Sequence, residues 1–540
     1  MNKKIKKSFL VVYWVFILFV LLNNGLSYLD PDLGWHLRVG EEMVETKNVP
    51  KIEHYDHTLE GVSWVDHEWG INIVSYLVYD KWGYSALNHV FALLALFAFY
   101  LLYRFVLNKF KTELESNFLL KIVLLSLIML GVFASLPHLG VRMQEITILN
   151  SIILLIILDR YSVEKSFGAL IFLPFLFVFW ANVHAGFMIG LVLLIFFIFV
   201  KTLEMISYKF YKLSFLDYKN LLSSQQIFIF SIFSILSFFA TLIGPYGIGL
   251  YDFLKTYSND FYLQNIKEWL PFYRYPIKYK QLFYAAVSSS VVVLFFLSVF
   301  SSYRKKQKAN IKIEAWQIFI FVLFLYLSLK SKRHFPLFFV FSLPLIFFLH
   351  LKFLKEGLAV FRQKVNLKIS AFFVIAVVTL LVVNQAIKFR FIEDPFRYYC
   401  NSYPCGAKEY LADNPELQNK KIYNNYNWGG YFIWTLPDMK LFIDGRLPQY
   451  NYDGRSLLEE YRDFLIETKV DEMLSKHEIN LIILKTSEAK VNFNWFEKYF
   501  LMMNEEKENN ITNHLKEHVQ ESEDWEEIYS DQVASIYAKI

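Results

Sequence analysis

The sequence predicts an α-helical polytopic membrane protein of about 11 spanning helices with a C-terminal soluble α/β domain. Three observations predict it. Hydrophobic residues make up 55% of the 540 and charged residues only 19%, with a mean hydropathy of +0.32; soluble domains carry about 25% charged residues. The apolar residues fall in long blocks. The basic residues gather in short segments between blocks, so the net charge of +5 marks topology, and no nucleic-acid partner is expected.

The first block covers 9–22, behind the basic start MNKKIKK. No small-x-small cleavage site follows, so it reads as a retained helix and not as a signal peptide. Further blocks lie near 84–103, 118–136, 146–159, 167–181, 186–200, 226–243, 281–300, 315–330, 335–350 and 369–385. Each can supply roughly the 17–25 residues of a span, short or tilted ones included. The stretch 69–80 is weaker and reads as a short amphipathic piece of the first loop. Lys and Arg concentrate in the N-terminal tail and in 104–117, 160–166, 201–225, 301–314 and 351–368. The positive-inside rule then places the N-terminus in the cytoplasm of a plasma-membrane protein. An odd helix count puts everything after about 386 outside. The expected division is a membrane domain over 1–390, with a catalytic first outer loop over 23–83, and an extracytoplasmic α/β domain over 391–540.

In that last part KKIYNNY, MKLFIDGR, INLIILK and ASIYAKI read as strands. The run SLLEEYRDFLIETKVDEMLSKHE between them reads as helical. Gly429, Gly430 and Gly445 fall at turns. The two cysteines, Cys400 and Cys405, allow a disulfide in an oxidising compartment or two reduced thiols, and spacing does not choose.

The first loop, YLDPDLGWHLRVGEEMVETKNVPKIEHYDHTLEGVSWVDHEWG, concentrates the ionisable chemistry. Asp30 and Asp32, about eight residues past the first apolar run, suit a general base with an orienting or metal-binding partner. They equally suit the N-cap of an amphipathic helix over 33–45, anchored at the interface by Trp35. His36 and Arg38 follow at once, and Asp66, His67 and Glu68 close the loop. Ionisable groups at membrane depth are functional candidates. PHLGVRMQE offers His138, Arg142 and Glu145, FWANVHAGF offers Trp180, Asn182 and His184, and LKSKRHFP offers Lys330, Lys332, Arg333 and His334. Under the expected topology all lie on the face of the acidic loop. Each cation alone could snorkel to headgroups; together they point to a phosphate-bearing ligand. The loop over 244–280, with Tyr246, Tyr251, Glu268, Trp269 and Tyr273, suits either a sugar or an interfacial aromatic belt.

This order of a first helix, an acidic first outer loop, about ten more helices and an outward C-terminal domain resembles the C-type (GT-C) membrane glycosyltransferases. That group includes protein mannosyltransferases, oligosaccharyltransferases and lipid A aminoarabinose transferases. The segments WANVHAGFMIG, GPYG, KEWLP and NWGGYFIW…LFIDGR, with the first loop, are similar to bacterial and archaeal membrane proteins labelled GT-C-like. The resemblance implies a polyprenyl-phosphate-linked sugar in the outer leaflet as donor. It implies a first-loop acid as base or metal ligand, and direct attack with inversion. Matched to this sequence, Asp30 or Asp32 takes that role, Asp32 by preference, and His67 and Glu68 fill the second polar cluster. His36, Arg38, Arg142, Asn182, His184, Glu268, Trp269, Lys332 and Arg333 are the expected substrate-binding residues. The acids form D-P-D with no further acid adjacent, a departure from metal-binding members. No metal ligands are assigned, and a divalent cation, Mg or Mn, is the one cofactor the resemblance allows. The expected partners are membrane lipids and a glycan, lipid or protein acceptor. The rival readings are a lipid-linked-sugar flippase, which needs a polar path through the bilayer, and a non-catalytic envelope assembly protein, which would tolerate Asn at position 32.

Overall fold

A computed structural model describes residues 3–116, 118–309, 311–364, 367–487, 490–505 and 513–540. The chain forms two compact units. One comprises Met1–Tyr28, Ser85–Leu250 and Gln264–Phe391; the other comprises Leu29–Tyr84, Tyr251–Leu263 and Ile392–Ile540.

Among the described residues, seven helices are long and apolar enough to cross a membrane: Ile5–Gly25, Trp69–Lys109, Phe118–His138, Glu145–Glu164, Phe187–Phe210, Tyr279–Arg304 and Lys332–Leu354. Four shorter apolar helices, Phe167–Ala181, Ser224–Ala240, Ala315–Lys330 and Ile375–Lys388, fall on the remaining apolar blocks. The stretch 69–80 forms the first arm of helix Trp69–Lys109, which bends at Gly83 (φ 72°, ψ −177°). A positive φ with that ψ is accessible to glycine almost alone.

Within the first unit, helices pack through small residues and rings. Gly131 lets the Phe339 ring come closer than a Cβ would allow, and Phe324 stacks on Phe341 at 4.4 Å. Two groups of charges inside this apolar unit are paired, which offsets their desolvation. Lys201 meets Glu204 at 2.9 Å, and Lys109 meets Asp159 and, at 3.7 Å, Glu314.

The second unit contains β1 (Ile422–Asn424), β2 (Asn451–Tyr452), β3 (Arg455–Ser456), β4 (Leu481–Lys485), β5 (Trp525–Ser530) and β6 (Ala534–Lys539). One sheet runs in the order β1-β4-β6-β5. β1 and β4 are parallel, and β6 is antiparallel to both β4 and β5. Ile422, Leu481, Ile482, Ile483 and Ile536 are fully buried in it. The hairpin β2–β3 turns on Asp453 (φ 49°) and Gly454 (φ 84°), the Asp-Gly pairing whose two positive φ values match strand twist. The helical run resolves into Leu457–Asp463, opened by a Ser456/Glu459 capping box, and Val470–Lys476. Cys400 and Cys405 are disulfide-bonded.

One expected strand is not a sheet member. In MKLFIDGR, Leu441 N–H donates to Tyr55 O (2.9 Å) and its carbonyl accepts from His57 N–H (2.9 Å). The Asn424 side chain takes Phe442 N–H (2.9 Å) and donates to Ile443 O (2.9 Å). The segment is extended because the first loop and one asparagine satisfy its backbone, where a sheet neighbour otherwise would.

Candidate functional site

In the second unit, the first loop builds the acidic cluster on helix Leu33–Thr46. Gly34 and Gly430 bring this helix and helix Gly429–Thr435 into backbone contact; a Cβ at Gly34 would fall less than 3.0 Å from Gly430 O, and one at Gly430 less than 3.0 Å from Pro31 O. Arg38 locks the arrangement. It donates to Trp434 O (3.0 Å) and Ile433 O (3.3 Å) at the end of the second helix and lies over the Trp434 ring at 5.2 Å. Its guanidinium thus serves the unsatisfied carbonyls of a helix C-terminus.

Asp32 sits at the N-cap position, but its side chain makes no capping hydrogen bond. Instead Asp30 Oδ1 accepts from Asp32 N–H at 3.0 Å, the geometry of an Asx turn. The Asp32 carboxylate lies against Gly445, where a Cβ would fall less than 3.0 Å from Oδ1. Tyr426 feels the charges of Tyr262, Asp32, Asp444 and Tyr257, and burial first, then these neighbours, push its phenol well above its ordinary range. The candidate base therefore lies against Gly445, which the sequence reads only as a turn, and within electrostatic reach of Tyr426, a residue the sequence does not single out.

The other loop residues gather around the Asn72 amide. Asn72 donates to Asp66 Oδ2 (2.9 Å), which leaves its carbonyl to accept from His36 Nδ1 (2.8 Å). His36 Nε2 faces Glu68 Oε2 at 3.7 Å, and His67 Nε2 faces Glu68 Oε1 at 3.8 Å. Burial holds the His36 imidazole down at about 3, against the Asn72 hydrogen bond. It lifts the Asp66 carboxyl to about 6, although Glu68 N–H and the Asn72 amide oppose this. Asp66 Oδ1 also accepts from Glu68 N–H (3.0 Å), so it opens helix Trp69–Lys109. His67 lies 5.8 Å from Phe253 and 5.9 Å from Tyr257, ring to ring.

In the first unit, the strongest cationic cluster joins three sequence-distant segments. Arg142 meets Glu268 Oε1 at 2.6 Å and Arg333 meets Glu268 Oε2 at 3.6 Å. Arg142 lies 5.9 Å over Tyr28 and Arg333 5.2 Å over Trp269. The loop is strapped to the helix start, since Lys332 N–H donates to Leu270 O (2.9 Å) and Arg333 N–H to Glu268 O (3.2 Å). Lys332 Nζ reaches Pro276 O at 3.4 Å. Burial favours the neutral acid, but the Arg142 and Arg333 guanidiniums outweigh it and hold Glu268 down at about 2. His138, buried beside them, has no hydrogen-bond partner at either ring nitrogen.

Asn182 and His184 hold a different corner. Asn182 donates to Val178 O (2.8 Å) and Ile243 O (2.7 Å). Trp180 donates to Thr147 Oγ1 (3.0 Å), and both Thr147 Oγ1 (2.9 Å) and Gly186 N–H (2.8 Å) meet His184 Nδ1. Nδ1 is therefore the acceptor and Nε2 carries the proton. Among the described residues, no group of three or more His, Cys, Asp or Glu side chains is placed to hold a metal ion, so no step is assigned to one.

No family model matches the sequence, and no characterised protein matches it in sequence either. Solved structures do match in fold. The oligosaccharyltransferase of Archaeoglobus fulgidus, tethered to an acceptor peptide containing the NVT sequon, aligns at TM-score 0.50 and 13% identity, over 100% of this chain and 74% of its own. The apo form of that enzyme aligns at TM-score 0.48 and 12% identity, over 89% and 69%. The same enzyme with an inhibitory peptide and a dolichol-phosphate gives 0.48 and 10%, over 89% and 69%. On the first of these alignments, the chain shares the polytopic membrane fold of an archaeal oligosaccharyltransferase.

Proposed function

We propose that this chain is a membrane glycosyltransferase that moves a sugar, with inversion, from an outer-leaflet polyprenyl-phosphate donor to an envelope, lipid or protein acceptor. One observation supports this most: Asp32 keeps its carboxylate out of helix capping, against Gly445 and within electrostatic reach of Tyr426. A carboxylate so placed takes the proton of an attacking hydroxyl or amide. Asp30 orients the Asp32 backbone. His67 and Glu68 serve the acceptor side, where Asp66 fixes the backbone by accepting from Glu68 N–H. In the first unit, taken by itself, Arg142 and Arg333 with Trp269 and Lys332 are the groups suited to a lipid phosphate, and Asn182 and His184 are further candidate contacts of the donor. The oligosaccharyltransferase neighbour was solved with a sequon peptide, so a peptide is the first acceptor to try.

The test is transfer by the purified chain in nanodiscs, from radiolabelled polyprenyl-phosphate sugars to peptide, glycan and lipid acceptors. Labelled product from any pair supports the reading. Unlabelled acceptors throughout, with donor movement between leaflets instead, would establish the flippase. Arg142→Ala and Arg333→Ala should each weaken donor-lipid binding by roughly 1.5–3 kcal/mol, the scale of a charge-assisted contact. Unchanged binding in both would mean that the arginines only snorkel.

The orientation has its own test. The basic segments put 301–314 in the cytoplasm and the 450s outside, and the Cys400–Cys405 bond supports an oxidising side for its unit. A cysteine in place of Lys305 should label only from the cytoplasm, and one in place of Asp453 only from outside. The reverse pattern removes the acidic loop from the outer leaflet and the donor with it.

A further inference from the structure

The Arg142–Glu268–Arg333 cluster has one carboxylate where two guanidiniums converge. That is the geometry of a bound oxyanion, since a carboxylate and a phosphate both present paired oxygens to the arginine fork. The pair is not buried out of reach; the Glu268 and Arg333 side chains are 35% and 32% exposed, and Arg142 12%. The Glu268 backbone is fixed, because its carbonyl accepts from Arg333 N–H (3.2 Å) and Ser331 Oγ (3.2 Å). Only its side chain has freedom to leave. His138, fully buried beside the cluster with both ring nitrogens unpartnered, is a polar group that the carboxylate leaves unserved.

We propose that Glu268 holds the place of a phosphate: a phosphate-bearing headgroup takes both guanidiniums by turning the Glu268 side chain out, and His138 donates to or accepts from the incoming group. The proposal rests on the donor reading above and adds that the site binds by anion exchange. Glu268, ionised at every working pH, is then a competitor of the donor and not one of its ligands. The donor's phosphodiester is a monoanion like Glu268 and meets it on equal charge; the monoester left once the sugar has gone is dianionic and wins the exchange, because it brings more charge and a third oxygen to the same two cations. A neutral or zwitterionic lipid head does not.

The experiment measures binding of polyprenyl phosphate, inorganic phosphate and phosphatidylglycerol to the full chain in detergent, for the parent and for Glu268→Gln and Glu268→Ala. Melting temperature in the same buffer shows whether each variant is folded. Removing the competing charge should tighten polyprenyl phosphate by about tenfold in both variants, within the usual span of coupling between exclusive contacts. Equal tightening for inorganic phosphate would identify the phosphate alone as the recognised group. Tightening confined to the polyprenyl form would add the lipid chain. Phosphatidylglycerol tightening as much as either would show unspecific charge and overturn the proposal. Weaker or unchanged phosphate binding in a folded Glu268 variant also overturns it, and if Arg142→Ala still weakens the parent's binding, the donor reading survives. No phosphate binding by any form would sink both.

Discussion

Asp32→Asn should lower turnover by roughly 10²–10⁴-fold, the usual worth of a positioned general base, while donor binding stays as it was. Asn keeps the size and most of the hydrogen bonding, so the change is to basicity alone. The alternative role, helix capping, predicts almost no effect, because Asn caps about as well as Asp; and the Asp32 side chain makes no cap bond to lose. Asp30→Asn, assayed beside it, should cost less, because Asp30 acts on the Asp32 backbone. Gly445→Ala is the geometric companion. Its methyl would meet Asp32 Oδ1, the movable end of a side chain, so the carboxylate should turn away while the fold holds. Single-turnover rates, with melting temperature as control, check all three. Full activity in Asp32→Asn and Asp30→Asn would place the chemistry elsewhere in the chain.

Several features were legible in the sequence because their physics is local. Among the described residues, apolar blocks form seven full-length helices and four shorter apolar ones. The amphipathic stretch after Asp32 became helix Leu33–Thr46, since its apolar positions recur at helical spacing. IYN, LIILK and the C-terminal ASIYAK became strands. What was not legible depends on residues far apart in the chain. The alternation in MKLFIDGR predicts a strand, but the partner of Leu441 is Tyr55 in the first loop, and no periodicity encodes that. Arg38 reads as a cation for substrate, yet it closes a helix end nearly 400 positions away. Glu268 reads as a sugar contact, and only the fold sets it between two arginines. The IDGR motif reads as a glycine turn. In the structure that glycine floors the candidate base, and the residues on either side of it enter the most heavily charged part of the second unit's core.

That core centres on Arg446, and Arg446→Ala should lose roughly 3–5 kcal/mol of stability, the cost of leaving buried charges uncompensated. Arg446 donates to both Glu53 oxygens (2.6 and 3.0 Å) and through Nε to Asp444 (3.0 and 3.1 Å). Its guanidinium lies 4.6 Å from the Tyr55 ring and 4.8 Å from Trp64. All these polar groups are buried. Arg446→Lys should not rescue the fold, because an ammonium cannot serve two carboxylates as a planar fork does. Asp56 is the weak member, with Nη2 of Arg446 3.9 Å away and neither oxygen hydrogen-bonded. Burial, then Asp444 and Glu53, raise its carboxyl well above the ordinary range. A raised folded pKa gives stability that is complete below the unfolded value, about 3.9, and is lost as pH rises through the folded one. Asp56→Asn carries no such proton, so it should flatten the alkaline side of the stability curve and exceed the parent at neutral pH. Melting temperatures from about pH 4 to pH 9, followed by tryptophan fluorescence, measure both effects. An Arg446→Ala protein that melts with the parent, or an Asp56→Asn protein that is less stable at neutral pH, would mean that these carboxylates are solvated and that Arg446 does not hold the first loop to the IDGR segment.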